Sequence, residues 1–372
     1  MAKVLLDFSN VRVGGGVIVA AATLQDLAEP DVQRRFPWLR DAHIRISPIV
    51  RRNITMPLER LPGVVSVQET GASPFAPLRR PRRRFDVRFT LFGPTYTGRL
   101  ARCEITGFAE VTMLYRPSEY GLPDPVPDFR ARLVDRVKRI MTKRSDLYVT
   151  ETSAMADRLS DRMGINRDRI FVVPNRPHPL FVGQPILHAP PAIDRPGELH
   201  LAYPTRAYPH KNLAIVGALG PLFEARTGKR LVVHSTLRAQ EWDAMPEPAR
   251  RWMRNHGESP AETVLEIYRG VDAIFFPSLL EACSVTPLEA NVLGVPLLAS
   301  DRDFVRSSAV PTEVFDPTDA RSVADALARF DQDRDAAWAR ARATAERYRR
   351  SLAESSRSIS YLSLVSERLG SG

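Results

Sequence analysis

The stretch AIFFPSLLEACSVTPLEANVLGVPLLAS, Ala273 to Ser300, restricts the fold more than any other part of the chain. It opens on AIFFPS and closes on VPLLAS, two apolar runs of strand length. Between them lie a short polar loop, EACSVT, and an apolar-periodic helix from about Pro287 to Leu293, closed by Gly294. Two strands joined through a helix pair in parallel, since a parallel connection needs a crossover of about a dozen residues. Such sheets take their ligands where strands end and helices begin. Glu281 and Glu289, with seven residues between them, fall there, one in the loop and one in the first turn of the helix. Each also has a plainer reading. Glu281 suits a solvated loop. Glu289 suits a helix N-terminus, where negative charge is stabilised by about 0.3–1 kcal/mol.

The same alternation runs through the chain. KVLLDFS reads as a strand, NVRVGGG as a glycine loop and VIVAAATLQDL as a helix. FDVRFTLFG (85–93) and EVTMLY (110–115) read as buried strands. DFRARLVDRVKRIMTK reads as an amphipathic helix with Phe129, Leu133, Val137 and Ile140 on its apolar face. SDLYVTET is a strand, SAMADRLSDRMG a helix capped by Ser153 and stopped by Gly164, and RIFVVPN the last strand of this half. Residues 183–197, GQPILHAPPAIDRPG, are proline-rich and without periodicity, which marks a linker. ELHLAYP, RLVVHST, AIFFPS and VPLLAS then alternate with helices, and the chain from about Ala320 to Leu369 is helical. The expected organisation is a domain over 1–182, a linker over 183–197, a second domain over 198–350 and a final helix over 351–372. Both domains read as doubly wound α/β units.

Composition narrows the partners. At 372 residues the chain exceeds one compact core. The N-terminus has no signal-peptide pattern and no run approaches the ~20 apolar residues of a spanning helix. Two cysteines, Cys103 and Cys283, far apart in sequence, fit a reducing cytoplasm. The net charge of +10 is uneven: residues 1–190 hold 30 basic and 19 acidic residues, the remainder 23 and 24. The densest basic run is Arg79, Arg80, Arg82, Arg83 and Arg84, with Arg51 and Arg52 upstream. A solvated loop, an anionic lipid surface and nucleic acid all suit such a run. No nucleic-acid-binding motif accompanies it, so no nucleic-acid partner is expected.

In the second half HLAYP leads into TRAYPHKN, which places Arg206 and Lys211 on a loop entering a helix, a favourable place for a diphosphate. His210 beside them is read as a loop or capping side chain. Carboxylates accept hydrogen bonds from sugar hydroxyls. Cations for a diphosphate and carboxylates for the two sugars flanking it describe a nucleotide-diphospho-sugar.

With these residues together, the chain resembles the retaining glycosyltransferases of the GT-B fold, of the group 1 or family 4 type with the E-x(7)-E motif. PSLLEACSVTPLEANVLGVPLLASD resembles the family's PSxxEGFGxPxxEAMAxGxPVxAS. TRAYPHKN resembles its phosphate-binding segment. SDLYVTETSAMADRLSDRMGINRDRIFVVPN resembles the close of its first domain. The likeness is dense from about Ser145 to Asp301. It implies two Rossmann-like domains facing a central cleft, with the C-terminal helix crossing back to the first. Glu281 would hydrogen-bond the transferred sugar, Glu289 the ribose, and Arg206 and Lys211 would neutralise the diphosphate. N–H groups around Cys283, Ser284 and Val285 would approach phosphate or sugar. Val264 would line the base pocket, and Gly15 and Gly16 would lie near acceptor and phosphates.

The resemblance also implies sugar transfer with retention, without metal or other cofactor. The acceptor would be a glycan, a lipid-linked molecule or a small molecule, in bacterial polysaccharide or glycoconjugate synthesis. Together with the basic first half it implies a cytoplasmic protein, peripheral at the inner face of a membrane. Two departures stand out. EGFG is replaced by EACS, which removes glycines that tolerate positive φ. The segment CEITGFAEV lacks the family's first-domain His, with Glu104 and Glu110 nearby, and leaves that contact unassigned. A sugar-nucleotide epimerase and a non-catalytic nucleotide-sugar-binding protein are the alternatives on this scaffold.

Overall fold

Short apolar runs such as VLLDF and AIFF bury both faces of a strand, and only a sheet covered by helices on both sides accommodates them. The computed structural model of the chain describes residues 3–12, 14–68, 84–95, 97–124, 126, 128–188, 197–354 and 356–370. Arg79, Arg80, Arg82 and Arg83, and most of the expected linker, lie outside the described residues. The chain divides into two units, one of Met1–Tyr115, Pro125–Pro174 and Ser355–Gly372, the other of Arg116–Asp124 and Asn175–Glu354.

In the first unit seven parallel strands take the order β3-β2-β1-β4-β5-β6-β7. They are β1 (Val4–Phe8), β2 (His43–Ile46), β3 (Val64–Val67), β4 (Phe85–Thr90), β5 (Ala101–Gly107), β6 (Leu147–Thr150) and β7 (Ile170–Val172). The second unit has six, in the order β10-β9-β8-β11-β12-β13. These are β8 (Glu198–Tyr203), β9 (Arg230–Ser235), β10 (Met253–Asn255), β11 (Ala273–Phe276), β12 (Leu297–Ser300) and β13 (Glu313–Phe315). In both orders the winding reverses once, between β1 and β4 and between β8 and β11. At such a point the flanking loops diverge to opposite faces and leave a crevice at the carboxyl ends.

Several sequence expectations shift. EVTMLY forms no strand: Val111–Met113 is a 3-10 turn, and Met113, Leu114 and Tyr115 are buried without a ladder partner. β2, β3, β10 and β13 escape a reading based on apolar runs. Three of them are sheet edges, and HIRI, VVSV, MRN and EVF are short and partly exposed. The helix Ser153–Met163 is capped not by Ser153 but by Thr152, whose Oγ1 accepts from the Met155 N–H. The change of unit falls at Asn175 rather than after 182. Phe181 is buried in the second unit's core, 5.8 Å from Tyr268 between ring centroids, and the Leu187 N–H bonds the Leu293 carbonyl at 2.8 Å. Residues 116–124 also join the second unit, where Arg302 lies over the Tyr120 ring.

The helical tail is three helices, Ala320–Gln332, Arg334–Glu354 and Arg357–Gly370. The last is part of the first unit. Tyr361 packs on Phe89, and the Ser358 hydroxyl donates to Asp26 at 2.6 Å. In the second unit Arg334–Glu354 covers the helix Val285–Leu293, whose residues from Thr286 to Leu293 are all buried.

Gly107 ends β5 where only a bare backbone fits. A Cβ there would collide with the Leu91 carbonyl, and its own carbonyl accepts from the Gly93 N–H at 2.7 Å. Gly107→Ala should lower the melting temperature by roughly 4–10 °C in a calorimetric or circular-dichroism melt. An unchanged melt would contradict this packing.

Candidate active site

Two loops leave the carboxyl ends of β8 and β11, the strands that flank the winding reversal of the second sheet. The β8 loop carries Arg206, His210 and Lys211; the β11 loop carries Ser278 and Glu281. They are stitched together by the backbone. The Leu279 N–H donates to the His210 carbonyl at 2.7 Å, and the Asn212 amide donates to the carbonyls of Pro277 and Pro317. Asn212 takes a left-handed φ of 56°, a conformation asparagine tolerates better than most residues.

The stitching brings the Lys211 Nζ to 2.5 Å from the Glu281 Oε1, with both side chains mostly buried. At about 4 Å and an effective dielectric near 20 such an attraction is worth about 4 kcal/mol before desolvation is charged against it. The Ser278 hydroxyl donates to the same Glu281 oxygen at 2.9 Å, and the Tyr203 hydroxyl lies 2.8 Å from the Ser278 Oγ. Burial, reinforced by the Glu281 charge, pushes the Tyr203 phenol far up, so it stays neutral. With the Ser278 proton engaged on Glu281, Tyr203 donates to Ser278 or to the Lys211 carbonyl, which lies 3.2 Å away. His210 lies 3.9 Å from Glu281. Burial lowers its pKa despite that carboxylate, so at neutral pH it is uncharged.

Arg206 is not beside Lys211's partner. Its Nε donates to both Glu241 oxygens at 2.9 Å, and Glu258 lies 3.4 Å from its terminal nitrogen. Burial works against the Glu241 charge, but the Arg238 and Ala207 N–H groups and Arg206 outweigh it and hold this carboxyl below the usual range. Sequence reasoning missed Glu241, Glu258, Ser278 and Tyr203. Arg206 and Glu241 lie 35 residues apart, which leaves no local signal. Ser278, three residues before Glu281, was the one legible from spacing.

Glu289 stands apart from this cluster. It is buried on the helix Val285–Leu293 and accepts from the Tyr268 hydroxyl at 2.7 Å. Burial raises its pKa to about 7, with the Tyr268 hydrogen bond opposing. Ser284 is the N-cap of that helix and makes no side-chain cap bond, and Val285, the first residue of the helix, is exposed. None of Ala282, Cys283 and Ser284 has positive φ, so EACS closes the turn without glycine. Val264 is half-buried against the second unit's core.

In the first unit Gly14, with φ 66°, caps the helix Gly15–Leu27, and a Cβ at Gly15 would meet nothing within 4 Å. Gly15 and Gly16 therefore open the first turn at the β1 end of that sheet's own reversal. Glu104, a candidate for the missing first-domain contact, is instead structural. It lies 2.7 Å from the Arg88 guanidinium and accepts from the Leu100 and Ala101 N–H groups. Glu110 pairs with Lys138 at 3.3 Å.

Residues 253–350 match the family described as Glycosyl transferases group 1. The chain has a GT-B fold, and this part of it is similar to group 1 glycosyltransferases. The matched stretch holds Val264, Glu281, Cys283, Ser284, Val285 and Glu289, whereas Arg206 and Lys211 precede it. The chain is similar in structure to Anabaena HepE in complex with UDP (TM-score 0.66, 14% identity, all of both chains covered). It is also similar to a glycosyltransferase from Rickettsia africae (0.61, 14%, 95% of this chain and 97% of that one). A third similar structure is the sucrose-phosphate synthase of Thermosynechococcus elongatus (0.63, 13%, all of both). No curated protein matches the chain in sequence.

The raised pKa of Glu289 links stability to pH. Below about pH 4.5 the group is protonated in both folded and unfolded chains. As pH rises through about 7 the unfolded chain gives up the proton first, and stability is lost. Relative to Glu289→Gln, the parent protein should lose on the order of 3 kcal/mol between about pH 4.5 and above 7. Urea unfolding of both proteins across that range checks it, and parallel pH curves would contradict it.

Proposed function

We propose that this chain is a glycosyltransferase that moves a sugar from a nucleotide-diphospho-sugar to an acceptor hydroxyl, with retention at the anomeric carbon and without a metal ion. The observation that carries the reading is the Lys211–Glu281 contact at the β8/β11 reversal, a cation and a carboxylate held together where such sheets bind ligands. A diphosphate approaching Lys211 would compete with Glu281 for the ammonium and free that carboxylate for sugar hydroxyls. It would also draw Arg206 from Glu241. HepE, solved with UDP and with UDP-glucose, supports a nucleotide-sugar donor.

Roles follow from chemistry and position. Lys211 and Arg206 offset the charge that grows on the departing diphosphate. Glu281 orients the sugar, Glu289 accepts from the ribose, and the N–H groups from Cys283 to Val285 meet phosphate or sugar. Val264 lines the base, and Gly15 and Gly16 offer N–H groups to acceptor or phosphate. In the transfer the bond from the anomeric carbon to the diphosphate oxygen breaks. The acceptor oxygen bonds the same face, and the acceptor proton passes to the leaving diphosphate. The acceptor is a glycan, a lipid-linked molecule or a small molecule in polysaccharide or glycoconjugate synthesis. The positive charge of residues 1–190 supports a cytoplasmic protein peripheral to an anionic membrane. No helix among the described residues is long and apolar enough to cross one.

A thermal-shift panel of UDP-, GDP- and ADP-sugars identifies the donor, since a ligand of the folded state raises the melting temperature. With that donor, Glu281→Ala should cut transfer per folded molecule by about a hundredfold or more, and should also lower the melt because Lys211 loses its partner. Full activity in that variant would remove the site assignment. Transfer should be unchanged in EDTA, and the product should keep the donor's anomeric configuration by NMR. A metal requirement or an inverted product would each contradict this chemistry.

A further inference from the structure

The helix Phe129–Thr142 does not bury the face that its sequence pattern prepares. Phe129, Leu133 and Ile140 lie on one stripe, yet they are 83%, 51% and 48% exposed. Val137 is only half-buried, while Met141 and Thr142 at the end of the helix are buried. Val134 and, just ahead of the helix, Val126 are exposed too. The amphipathic helix read from the sequence is present, with most of its apolar face uncovered. The helix is anchored by its C-terminal half, where Lys138 pairs with Glu110 and Arg139 bonds the Met113 carbonyl, and its first turns project from the first unit. A helix of this length is marginal without a covered apolar face, and each such side chain is stabilised by burial.

Charge says what the cover is. Residues 128–144 hold seven Lys or Arg and two Asp. Asp128 is occupied capping the helix through the Ala131 N–H, and Asp135 is paired with Arg139 at 2.8 Å. On the projecting turns Arg130 and Arg136 are exposed beside Phe129, Leu133 and Ile140. A single convex stripe about 16 Å long, edged by arginines, offers no groove for a protein segment and falls short of the area of a stable protein interface. It fits a surface that is apolar within and anionic at its boundary.

We propose that the helix Phe129–Thr142 lies in the plane of an anionic lipid bilayer, with Phe129, Leu133 and Ile140 at the acyl boundary and Arg130 and Arg136 on lipid phosphates. This rests on the reading of the first unit as membrane-facing and assigns that contact to one element. It is independent of the donor site in the second unit.

Sedimentation of the full chain with phosphatidylcholine vesicles, with and without phosphatidylglycerol, tests it. Binding should rise about tenfold or more with phosphatidylglycerol and fall in high salt, as about 1 kcal/mol per basic residue requires. Phe129→Ser with Leu133→Ser, and separately Arg130→Gln with Arg136→Gln, should each lower binding about tenfold. Their melting curves and nucleotide-diphosphate binding should be unchanged, since these side chains are exposed. Three results would overturn the proposal. One is equal binding to both vesicles, and another is undiminished binding of the Phe129/Leu133 variant. The third is a dimer in sedimentation velocity that this variant abolishes while no vesicle binding occurs. Absence of nucleotide binding by the parent chain, with its binding to anionic vesicles as expected, would instead count against the donor-site reading alone.

Discussion

The second unit is organised by one topological constraint, the reversal of winding between β8 and β11. There two adjacent parallel strands send their loops to opposite faces. The backbone bond from Leu279 to His210 and the Asn212 amide on Pro277 draw those loops back together. Without that stitching Lys211 and Glu281 would be two solvated side chains. With it they form a mostly buried ion pair, backed by Ser278 and Tyr203. Removing one partner of such a pair leaves an unpaired buried charge, so geometry and chemistry are coupled here.

Both cations are paired within the chain. Lys211 is matched by Glu281, and Arg206 by Glu241 with Glu258 close by. A dianion entering must exchange these carboxylates rather than fill an open positive field. Such exchange lowers affinity for an isolated anion. It favours a ligand that supplies phosphates for the cations and hydroxyl donors for the released carboxylates. That is the physical content of the proposed site for a diphosphate flanked by sugars. Glu289 differs: burial raises its pKa to about 7, so at neutral pH it is about half protonated, and the proposed contact with a ribose would start from a carboxyl already bonded to Tyr268.

Much of this was legible in the sequence where strands are central and apolar. AIFFPS, VPLLAS and the helix between them read correctly because both faces of the strands are buried and Gly294 takes the left-handed turn that closes the helix. Edge strands such as β3, β10 and β13 did not read, since an edge strand with one wet face carries no continuous apolar run. EVTMLY misled for the opposite reason, being apolar enough for a strand but packed in the core as a turn. Lys211 and Glu281 were legible as residues, but not their contact, because it depends on which strands are neighbours. Arg206's capture by Glu241 was invisible, as was the exposure of Phe129 and Leu133. Periodicity shows that a helix has an apolar face, not what lies against it.

The most direct measurement of the central claim is calorimetric titration of UDP, GDP and ADP into the parent chain and into Lys211→Ala. The account predicts that at least one nucleoside diphosphate binds the parent chain and that the substitution weakens it by about tenfold or more, as losing a charge-assisted phosphate contact requires. Binding of equal strength by both proteins, or no binding of any of the three, would contradict it.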